Sequence, residues 1–417
     1  MQRKHNDFSK AIKKHVNENY LKDDDRRSFL NNFSDWPSPT NEKWRLSRLG
    51  KLARKSFIPY VSSSKKIKET SATNEDFFSL VFINGIFCKE SSDKLPKEIE
   101  MSFLSAKDLI SNLRDVNNRS VLTHPTLNIT GSCFQDFIKL KIKANCSIAK
   151  PIELLQTGNC PHNSIHPLIL IEVEKNSKIK ILEKFKTNVA LNAPLQILKL
   201  EKNSKIEFIK FHNDDSETTN LSLLISFLKE DATCNIFNLI NGGAFTRSET
   251  HSYLKGKNSS MNLNCVYLST DSQHHDVTSS IYHDFPNCNS SQKVRGVLNK
   301  NSTGVFQGKI RVEKKAQKTN AQQMSRALIL SDKALSNSKP ELEIYADDVV
   351  CSHGATVGEL DEEQIFYFLS RGIDKQKARF MMIEAFLSEI IEESVDKVFL
   401  DEVLNETEIA FKKILEN

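Results

Sequence analysis

A cysteine and a histidine two residues apart are the side chains of this sequence best suited to bind a metal ion. Cys351 and His353 belong to the segment CSHGATVGEL, residues 351–360, which directly follows the strand-like run ELEIYADDVV. In an extended chain alternate side chains point the same way, so both would share one face with Cα atoms about 7 Å apart. Thiolate and imidazole ligands suit iron or zinc. The pair is therefore a candidate for half of a metal site, although a C-x-H pair at a strand end is by itself more often a coincidence.

Two aspartates just before this pair, Asp347 and Asp348, are the nearest further ligand candidates. They would add hard oxygen donors to a soft thiolate, whereas a role in turning the chain needs no metal. We favour the turn, so the remaining metal ligands must lie elsewhere.

A second cluster contains Cys160, His162 and His166 in the segment NCPHNSIH. Its spacing, C-x-H-x₃-H, resembles a metal motif but lacks a fourth ligand and a paired C-x₂₋₄-C, so it does not match a zinc finger. We interpret this segment as a surface loop.

A third cluster lies in QHHDVTSSIYHDF and contains His274, His275, Asp276, His283 and Asp284. No two of its histidines have the i, i+4 spacing of a helical H-E-x-x-H motif, and the segment is typical of a strand. His275 and His283 would share one face and pair with the aspartates. We favour structural pairing over metal binding or proton transfer.

Three nucleotide and hydrolase motifs are missing from the sequence. It contains no G-x-x-x-x-G-K-[ST] loop, no G-x-G-x-x-G after a strand and no G-x-S-x-G elbow. The chain therefore shows no nucleotide-hydrolysing machinery and no nucleophilic triad of its own.

Short strand-like runs fill residues 121–350, with one turn signature repeated among them. The copies are EKNSKIKI, EKNSKIEF, GKNSSMNL and NKNSTGVF, with EDATCNIF and KANCSIAK as variants. Asn at a corner tolerates the left-handed conformation, and an inward aliphatic residue follows. A right-handed parallel β-helix is the predicted architecture, favoured by the near-identical turns and by about 230 residues of strand without a domain break. A β-sandwich array, which would also give many short strands, is the alternative. HGATVGEL fits the same turn template, as the last coil.

Helical patterns flank the strand-rich region. Asp361 predicts a cap for a helix that ends at Arg371-Gly372, Asp374 opens a second helix, and a third spans about 399–415. We expect these helices to cap the open end of the solenoid. The predicted division is an N-terminal, mostly helical region (1–120), a β-helix core (121–356) and a C-terminal helical domain (357–417).

Composition and charge indicate a soluble globular chain. Of its 417 residues 39% are hydrophobic and 27% charged, and no apolar run is long enough to span a membrane. The eight cysteines form no C-x-x-C pair, so we expect reduced thiols and a cytoplasmic location. Residues 1–70 hold 17 Lys+Arg against 8 Asp+Glu, and residues 357–417 hold 7 against 15. This asymmetry is typical of two solvated helical surfaces, which we favour, and it also allows the two ends to meet different partners or each other. Nucleic acid is not an expected partner.

The stretch from SSQKVRGVLNKNSTGVFQGKI to CSHGATVGELDEEQIFYFLSRGI, residues 290–373, closely resembles the SufB/SufD family of iron–sulfur cluster assembly proteins. QHHDVTS fits this family too, and NEKWRLSRL and VFINGIF are weaker matches near the N-terminus. The form CSHGAT and the moderate length resemble SufD more than SufB.

The resemblance implies a scaffold subunit that is not itself an enzyme. It implies a β-helix core between two helical regions, a heterodimer with a SufB-like paralogue through the β-helix, and a SufC-like ATPase bound by the C-terminal helices. A homodimer in the absence of the paralogue is also expected, with neither nucleic acid nor membrane as a partner.

The resemblance also assigns residues. His353, with Cys351 as its neighbour, would hold a transient iron–sulfur cluster at the SufB interface. A reduced flavin is a further expected cofactor of the complex. The residues expected to dock the ATPase are Asp361, Glu362, Gln364, Phe366, Tyr367 and Arg371.

Two other functions remain open at this point. A β-solenoid enzyme acting on carbohydrate would need paired carboxylates in a groove, but Asp214 and Asp215, or Asp347 and Asp348, are adjacent and alternate faces in a strand. An inert adaptor that only holds an ATPase is the other alternative.

Overall fold

The computed structural model describes residues 7–33, 36–37, 40–47, 49, 57–62, 75–116 and 118–415. Part of the basic segment, including residues 63–70, lies outside these described residues. The described chain forms a β-solenoid of about 8 turns with helices before and after it, which confirms the predicted fold class. The handedness of the coil stays a prediction.

The helices are α1 (Asp7–Asn19), α2 (Asp24–Asn32), α3 (Ala106–Asn112), α4 (Arg119–Leu122), α5 (Pro125–Cys133), α6 (Glu362–Ser370), α7 (Lys375–Ser394) and α8 (Lys397–Leu415). None of these described helices combines the length and the apolar character that a membrane crossing requires. The strands are β1 (Ile58–Pro59), β2 (Phe78–Ile83), β3 (Ile86–Cys88), β4 (Ile99–Phe103), β5 (Phe137–Ile142), β6 (Ile152–Ile165), β7 (Leu168–Val173), β8 (Lys178–Asn192), β9 (Leu195–Leu200), β10 (Lys205–His212), β11 (Thr219–Leu228), β12 (Thr233–Ile240), β13 (Phe245–Leu254), β14 (Ser260–Ser269), β15 (His274–His283), β16 (Asn289–Leu298), β17 (Thr303–Val312), β18 (Thr319–Ile329), β19 (Leu335–Ile344) and β20 (Val349–Gly358).

The solenoid strands form two parallel stacks because each pairs with the strand two places further along the chain. The even sheet contains β6, β8, β10, β12, β14, β16, β18 and β20, and the odd sheet contains β5, β7, β9, β11, β13, β15, β17 and β19. One coil thus consists of one odd and one even strand joined by two corners. Strand β2 also pairs with β6, so pairing begins before residue 121. The division at residues 121 and 357 remains our proposal.

Asparagines turn the chain at the corners, as the repeated signature predicts. Asn145, Asn176, Asn203 and Asn258 all have positive φ angles. Their amides also form a ladder, since Asn176 donates to Asn145 (2.8 Å) and Asn203 donates to Asn176 (2.9 Å). The copy NKNSTGVF differs, because its left-handed residue is Lys300 and its corner leads from an even to an odd strand. The signature therefore marks both kinds of corner.

Apolar side chains fill the solenoid and also cover its two outer faces. The interior cluster includes Ile179, Ile206 and Leu263. Each fully buried side chain of this kind contributes about 1.5–3 kcal/mol of transfer free energy. Outside the odd sheet, residues of α2, α3 and α5 pack against β5 to β15, and outside the even sheet α7 and α8 pack against β8 to β16.

The C-terminal helices lie along the side of the solenoid, so the prediction that they cap its end is wrong. The outer face of the even sheet carries apolar residues such as Phe237 and Val266, which α7 and α8 bury. Ion pairs add to this contact between acidic helices and basic strands: Lys180–Asp396 (2.8 Å), Lys184–Glu402 (2.6 Å), Lys293–Glu393 (2.6 Å) and Arg295–Glu389 (2.6 Å). The acidic C-terminal segment therefore pairs with the side of the solenoid, and no residue of β20 is buried.

Candidate functional site at the open end of the solenoid

The last two strands, β19 and β20, form an open end of the solenoid. Within the described residues β20 pairs only with β18, and β19 only with β17. Their free edges offer unpaired backbone N–H and C=O groups, which can accept another strand. Apolar side chains stand exposed beside these edges: Leu335, Ile344, Tyr345 and Val350, of which Val350 is 65% exposed.

Cys351 and His353 lie in the middle of β20, so the prediction that HGATVGEL forms a turn is wrong. Gly354 is not among the residues with positive φ, and it pairs in register with Met324. Pairing with β18 continues to Gly358. The chain turns earlier, at Asp347 and Asp348, where Lys318 N–H donates to the Asp348 carbonyl (2.6 Å). Because Cys351 and His353 lie in a regular strand, the alternation of side chains sets the direction in which both point.

Both candidate ligands share the inner face of β20. In register on β18 they stand beside Ala321 and Gln323, which are buried. Cys351 packs against the small apolar cluster of the last coils, and burial raises the pKa of its thiol. A metal ion or a nearby cation would be needed to make it a thiolate at neutral pH. His353 is exposed at the end of the solenoid.

Within the described part of the chain these two side chains do not form a complete metal site. Among the residues that the structure describes, no group of three or more His, Cys, Asp or Glu side chains is placed to hold a metal ion. A metal ion bound here would need ligands beyond those that the described residues bring together. Asp347 and Asp348 do not supply them, in agreement with the turn interpretation.

Gln323 is a buried polar residue at this end that the sequence analysis missed. It is only 2% exposed, and neither atom of its side-chain amide has a hydrogen-bond partner among the described residues. The signal that finds it is the strand register, which places it directly beside His353. Register between strands 30 residues apart cannot be read from a single sequence.

Helix α6 forms a second exposed surface. The Asp361 side chain caps it by accepting from the backbone N–H groups of Glu363 and Gln364, as the sequence predicts. Phe366 is 71% exposed and Tyr367 57% exposed, with the Arg371 guanidinium 5.3 Å from the Tyr367 ring. All six residues expected to dock the ATPase are solvent-exposed: Asp361, Glu362, Gln364, Phe366, Tyr367 and Arg371.

The cluster Cys160, His162 and His166 lies around strand β6, so its interpretation as a surface loop is wrong. The strand continues to Ile165 because its pairing with β8 resumes after an irregularity between Cys160 and Ser164. Burial raises the pKa of Cys160 to about 11, and buried His166 is hydrogen-bonded to Ser164 (3.0 Å). His162 is exposed, so the three side chains do not converge on a ligand.

The histidines of β15 have structural partners, as favoured, but these are not the aspartates. His275 is hydrogen-bonded to the Ser269 hydroxyl (2.7 Å) and faces the Gly242 carbonyl oxygen (3.1 Å). His283 is hydrogen-bonded to Ser290 (2.9 Å). Each aspartate instead binds a basic residue: Asp276 binds Arg247 (2.6 Å) and Asp284 binds Lys255 (2.5 Å).

The adjacent carboxylates of Asp214 and Asp215 do not form an acid–base pair. Asp214 is buried and accepts from Thr187 and from Asn220 (2.6 Å). Asp215 is exposed, and its carboxylate accepts from the Glu217 backbone N–H (3.1 Å). Asp214 therefore ties neighbouring coils together.

Fold and site together define a β-solenoid protein with helices on both faces and an incomplete ligand pair at an open end. The family model described as "SUF system FeS cluster assembly, SufBD core domain" matches residues 155–386. The chain belongs to the SufB/SufD family of iron–sulfur cluster assembly proteins, and within it is most like SufD.

Several relatives match this chain over different lengths. The chain is 30% identical over 387 residues to the iron–sulfur cluster assembly protein SufD of Escherichia coli, covering 88% of each chain. It is 26% identical over 382 residues to an iron–sulfur cluster assembly SufBD family protein of Synechocystis, covering 86% of this chain and 83% of the relative. The SufD of Bacillus subtilis is 34% identical over 155 residues, covering 37% of this chain and 35% of that one.

Proposed function

We propose that this chain is the SufD-like scaffold subunit of a cluster assembly complex with a SufB-like paralogue and a SufC-like ATPase. The observation that carries the proposal is the pair Cys351 and His353 on the inner face of a strand whose other edge is free. An incomplete ligand set beside an open edge suits a site that a second subunit completes. The chain itself would hold the cluster without catalysing ATP hydrolysis.

The free edges of β19 and β20 suit pairing with another solenoid. Strand addition supplies backbone hydrogen bonds, and the exposed Leu335, Tyr345 and Val350 supply apolar contact. The paralogue is the partner that we assign to this edge. A second copy of this chain would use the same edge when the paralogue is absent, which explains the expected homodimer.

The cluster is the cargo of this site. The neutral imidazole of His353 can supply a nitrogen ligand, and the Cys351 thiol can supply sulfur once it loses its proton. Both positions are held by a regular strand, so the ligands are presented in a defined direction. The partner would supply the remaining ligands from across the interface.

The ATPase is expected to bind the exposed surface of α6. Phe366 and Tyr367 are large aromatic side chains in solvent, the type of residue that commonly anchors an interface. ATP hydrolysis would change the open end only if the ATPase binds two conformations of the complex with different affinities. We propose that a joint movement of α6 and α7 transmits this change from the ATPase to the open end of the solenoid.

Two of the cavities among the described residues are poorly suited to a flavin. The cavity between α1 and α2, of about 580 Å³, is lined mainly by polar side chains and has no aromatic ring to stack on a flavin. The groove beside Arg247 and His251 holds only about 50 Å³. We therefore derive no step through a flavin in this chain.

The central test is His353→Ala in the complete complex, with Ser352→Ala as the matched control on the opposite face of β20. We expect the variant complex to assemble but to retain at least about tenfold less iron and sulfide, because it lacks a ligand. Absorbance and iron and sulfide analysis measure this. A His353→Ala complex that builds clusters as fast as the parent would contradict the ligand role, and a colourless parent complex with ATPase would indicate an inert adaptor.

The docking surface is tested by Phe366→Asp. We expect co-purification of the ATPase to weaken by about 30-fold or more, because an exposed aromatic anchor is worth at least about 2 kcal/mol. Ile409→Asp is the control, since Ile409 is also exposed and apolar but lies on α8. Equal ATPase recovery with both variants would refute α6 as the docking surface.

A further inference from the structure

We infer that Gln323 is a positioning residue for His353, with its side-chain oxygen accepting the ring N–H that does not face the cluster. This inference rests on the proposed role of His353 as a ligand. Gln323 and His353 are register partners on adjacent strands, about 4.8 Å apart in the pairing direction, with side chains on the same inner face.

The column of residues that ends at His353 changes from apolar to polar. Through successive even strands it contains Ile181, Phe208, Ile236, Leu263, Gln292, Gln323 and His353. The first four are fully buried aliphatic or aromatic side chains that build the core. Two buried glutamines then directly precede the candidate ligand.

Of these two glutamines, Gln323 is the one whose side-chain oxygen is available. The Gln292 oxygen already accepts from the Ser279 hydroxyl. Both the nitrogen and the oxygen of the Gln323 amide are buried without a partner among the described residues. An unpartnered buried polar group costs about 1–3 kcal/mol, so a partner in the working complex is expected.

Gly308 makes room for this amide. A Cβ at Gly308 would lie 3.0 Å from the Gln323 nitrogen and 2.5 Å from the Phe306 ring. The φ angle of Gly308 is not in the left-handed region, so space rather than backbone conformation accounts for a glycine here. The nitrogen therefore lies close to β17, and we assign the oxygen to the imidazole.

A bound oxygen acceptor would fix both the orientation and the tautomer of the imidazole. Histidine ligands usually donate their second ring N–H to a carbonyl or carboxylate oxygen, and losing that partner typically weakens metal binding 10–100-fold. Gln323 would thus prepare His353 for the cluster before the partner subunit arrives.

The test compares Gln323→Leu with Gln322→Leu in the full chain. Gln322 is the matched control, because it is the exposed neighbour on the opposite face of β18. The ring signals of His353 in NMR spectra of ¹⁵N-histidine-labelled protein are assigned as those that disappear in His353→Ala. We expect the parent and the control to show one His353 tautomer. Gln323→Leu is expected to show a mixture of tautomers, and Gln323→Glu, which keeps an acceptor oxygen, restores a single one.

In the complex we expect Gln323→Leu to lose iron about 10–100-fold faster than the control. Unchanged His353 ring signals in Gln323→Leu would overturn the inference. Should that variant fail to fold, Gly308→Ala displaces the amide without removing it and must give the same mixture. If His353→Ala leaves cluster assembly intact while Gln323→Leu changes the tautomer of His353, the proposed function fails but the positioning role of Gln323 stands.

Discussion

The middle and the end of the solenoid have the same strand geometry but opposite surroundings. All ten residues of β11 are buried, whereas none of the ten residues of β20 is. Helices cover the outer faces of both sheets along the middle coils, whereas no residue of β19 or β20 belongs to the two apolar clusters that these helices join. Coverage by helices, rather than strand pairing, therefore separates the scaffold from the candidate site.

Charged residues show the same contrast. Arg247 of β13 is 1% exposed, binds Asp276 (2.6 Å) and Glu249 (2.7 Å), and lies 4.0 Å from the Trp44 ring. This cluster fastens the segment around Trp44 to the odd sheet. Arg311 of β17 also points outward but remains 40% exposed beside its acidic partners. Removing one partner from a buried ion pair leaves a charge without water or a counter-charge, whereas the partner left from an exposed pair is solvated.

The largest expected effect comes from breaking the buried pair. Arg247→Met should lower the free energy of unfolding by about 3–5 kcal/mol, because it leaves two buried carboxylates without their cation. Arg311→Met is the matched change near the open end and should cost less than about 1 kcal/mol. Urea denaturation measures both. Equal losses would mean that burial does not distinguish the two coils.

Acidification should weaken the sealed middle. Burial lowers the pKa of His275 and of His166 to about 3, from an ordinary value near 6.5. Above pH 6.5 neither the folded nor the unfolded state is protonated there. Between pH 6.5 and 3 the unfolded chain binds protons that the folded chain does not, so the free energy of unfolding falls as pH falls.

We expect each of these histidines to contribute roughly 1–2 kcal/mol of this loss between pH 6.5 and 5. His275→Gln should make the loss over this range shallower, as measured by urea denaturation at each pH. An identical pH dependence in parent and variant would show that His275 takes up protons equally in both states.

The smallest expected effect concerns the corners. Lys318, near the open end, has a φ of 58°, a conformation that costs a lysine about 1–2 kcal/mol. Lys318→Gly should therefore stabilise the chain by about 0.5 kcal/mol after the entropy cost of glycine is included. Asn203→Gly should instead destabilise it, because Asn203 donates to Asn176. Thermal denaturation should show shifts of opposite sign, and shifts of the same sign would contradict this reasoning.

Local patterns predicted those features that depend on neighbouring residues. Asn176 and Asn203 marked corners because their side chains tolerate positive φ, and Asp361 marked a helix start because its carboxylate accepts from nearby N–H groups. The prediction for HGATVGEL was wrong because the segment has the residues of a turn, while pairing with β18 keeps it extended. In this segment the long-range pairing with β18 therefore outweighs the local preference for a turn.

The candidate site was only half accessible to sequence reasoning. Cys351 and His353 could be found from their spacing and from the family resemblance, whereas Gln323 appears only once β18 and β20 are placed in register. The same limit explains the helices, since the periodicity of α7 predicted a buried face but not the sheet that covers it.

By itself the sequence determined the solenoid corners, the helix caps and the alternation that puts Cys351 and His353 on one face. These depend on backbone preferences within a few residues. Only the tertiary structure decided that acidic helices lie along the even sheet, that no residue of β20 is buried and that Gln323 lies beside His353. Those outcomes depend on register and packing between distant segments, where many contacts of similar energy compete and the complete fold selects among them.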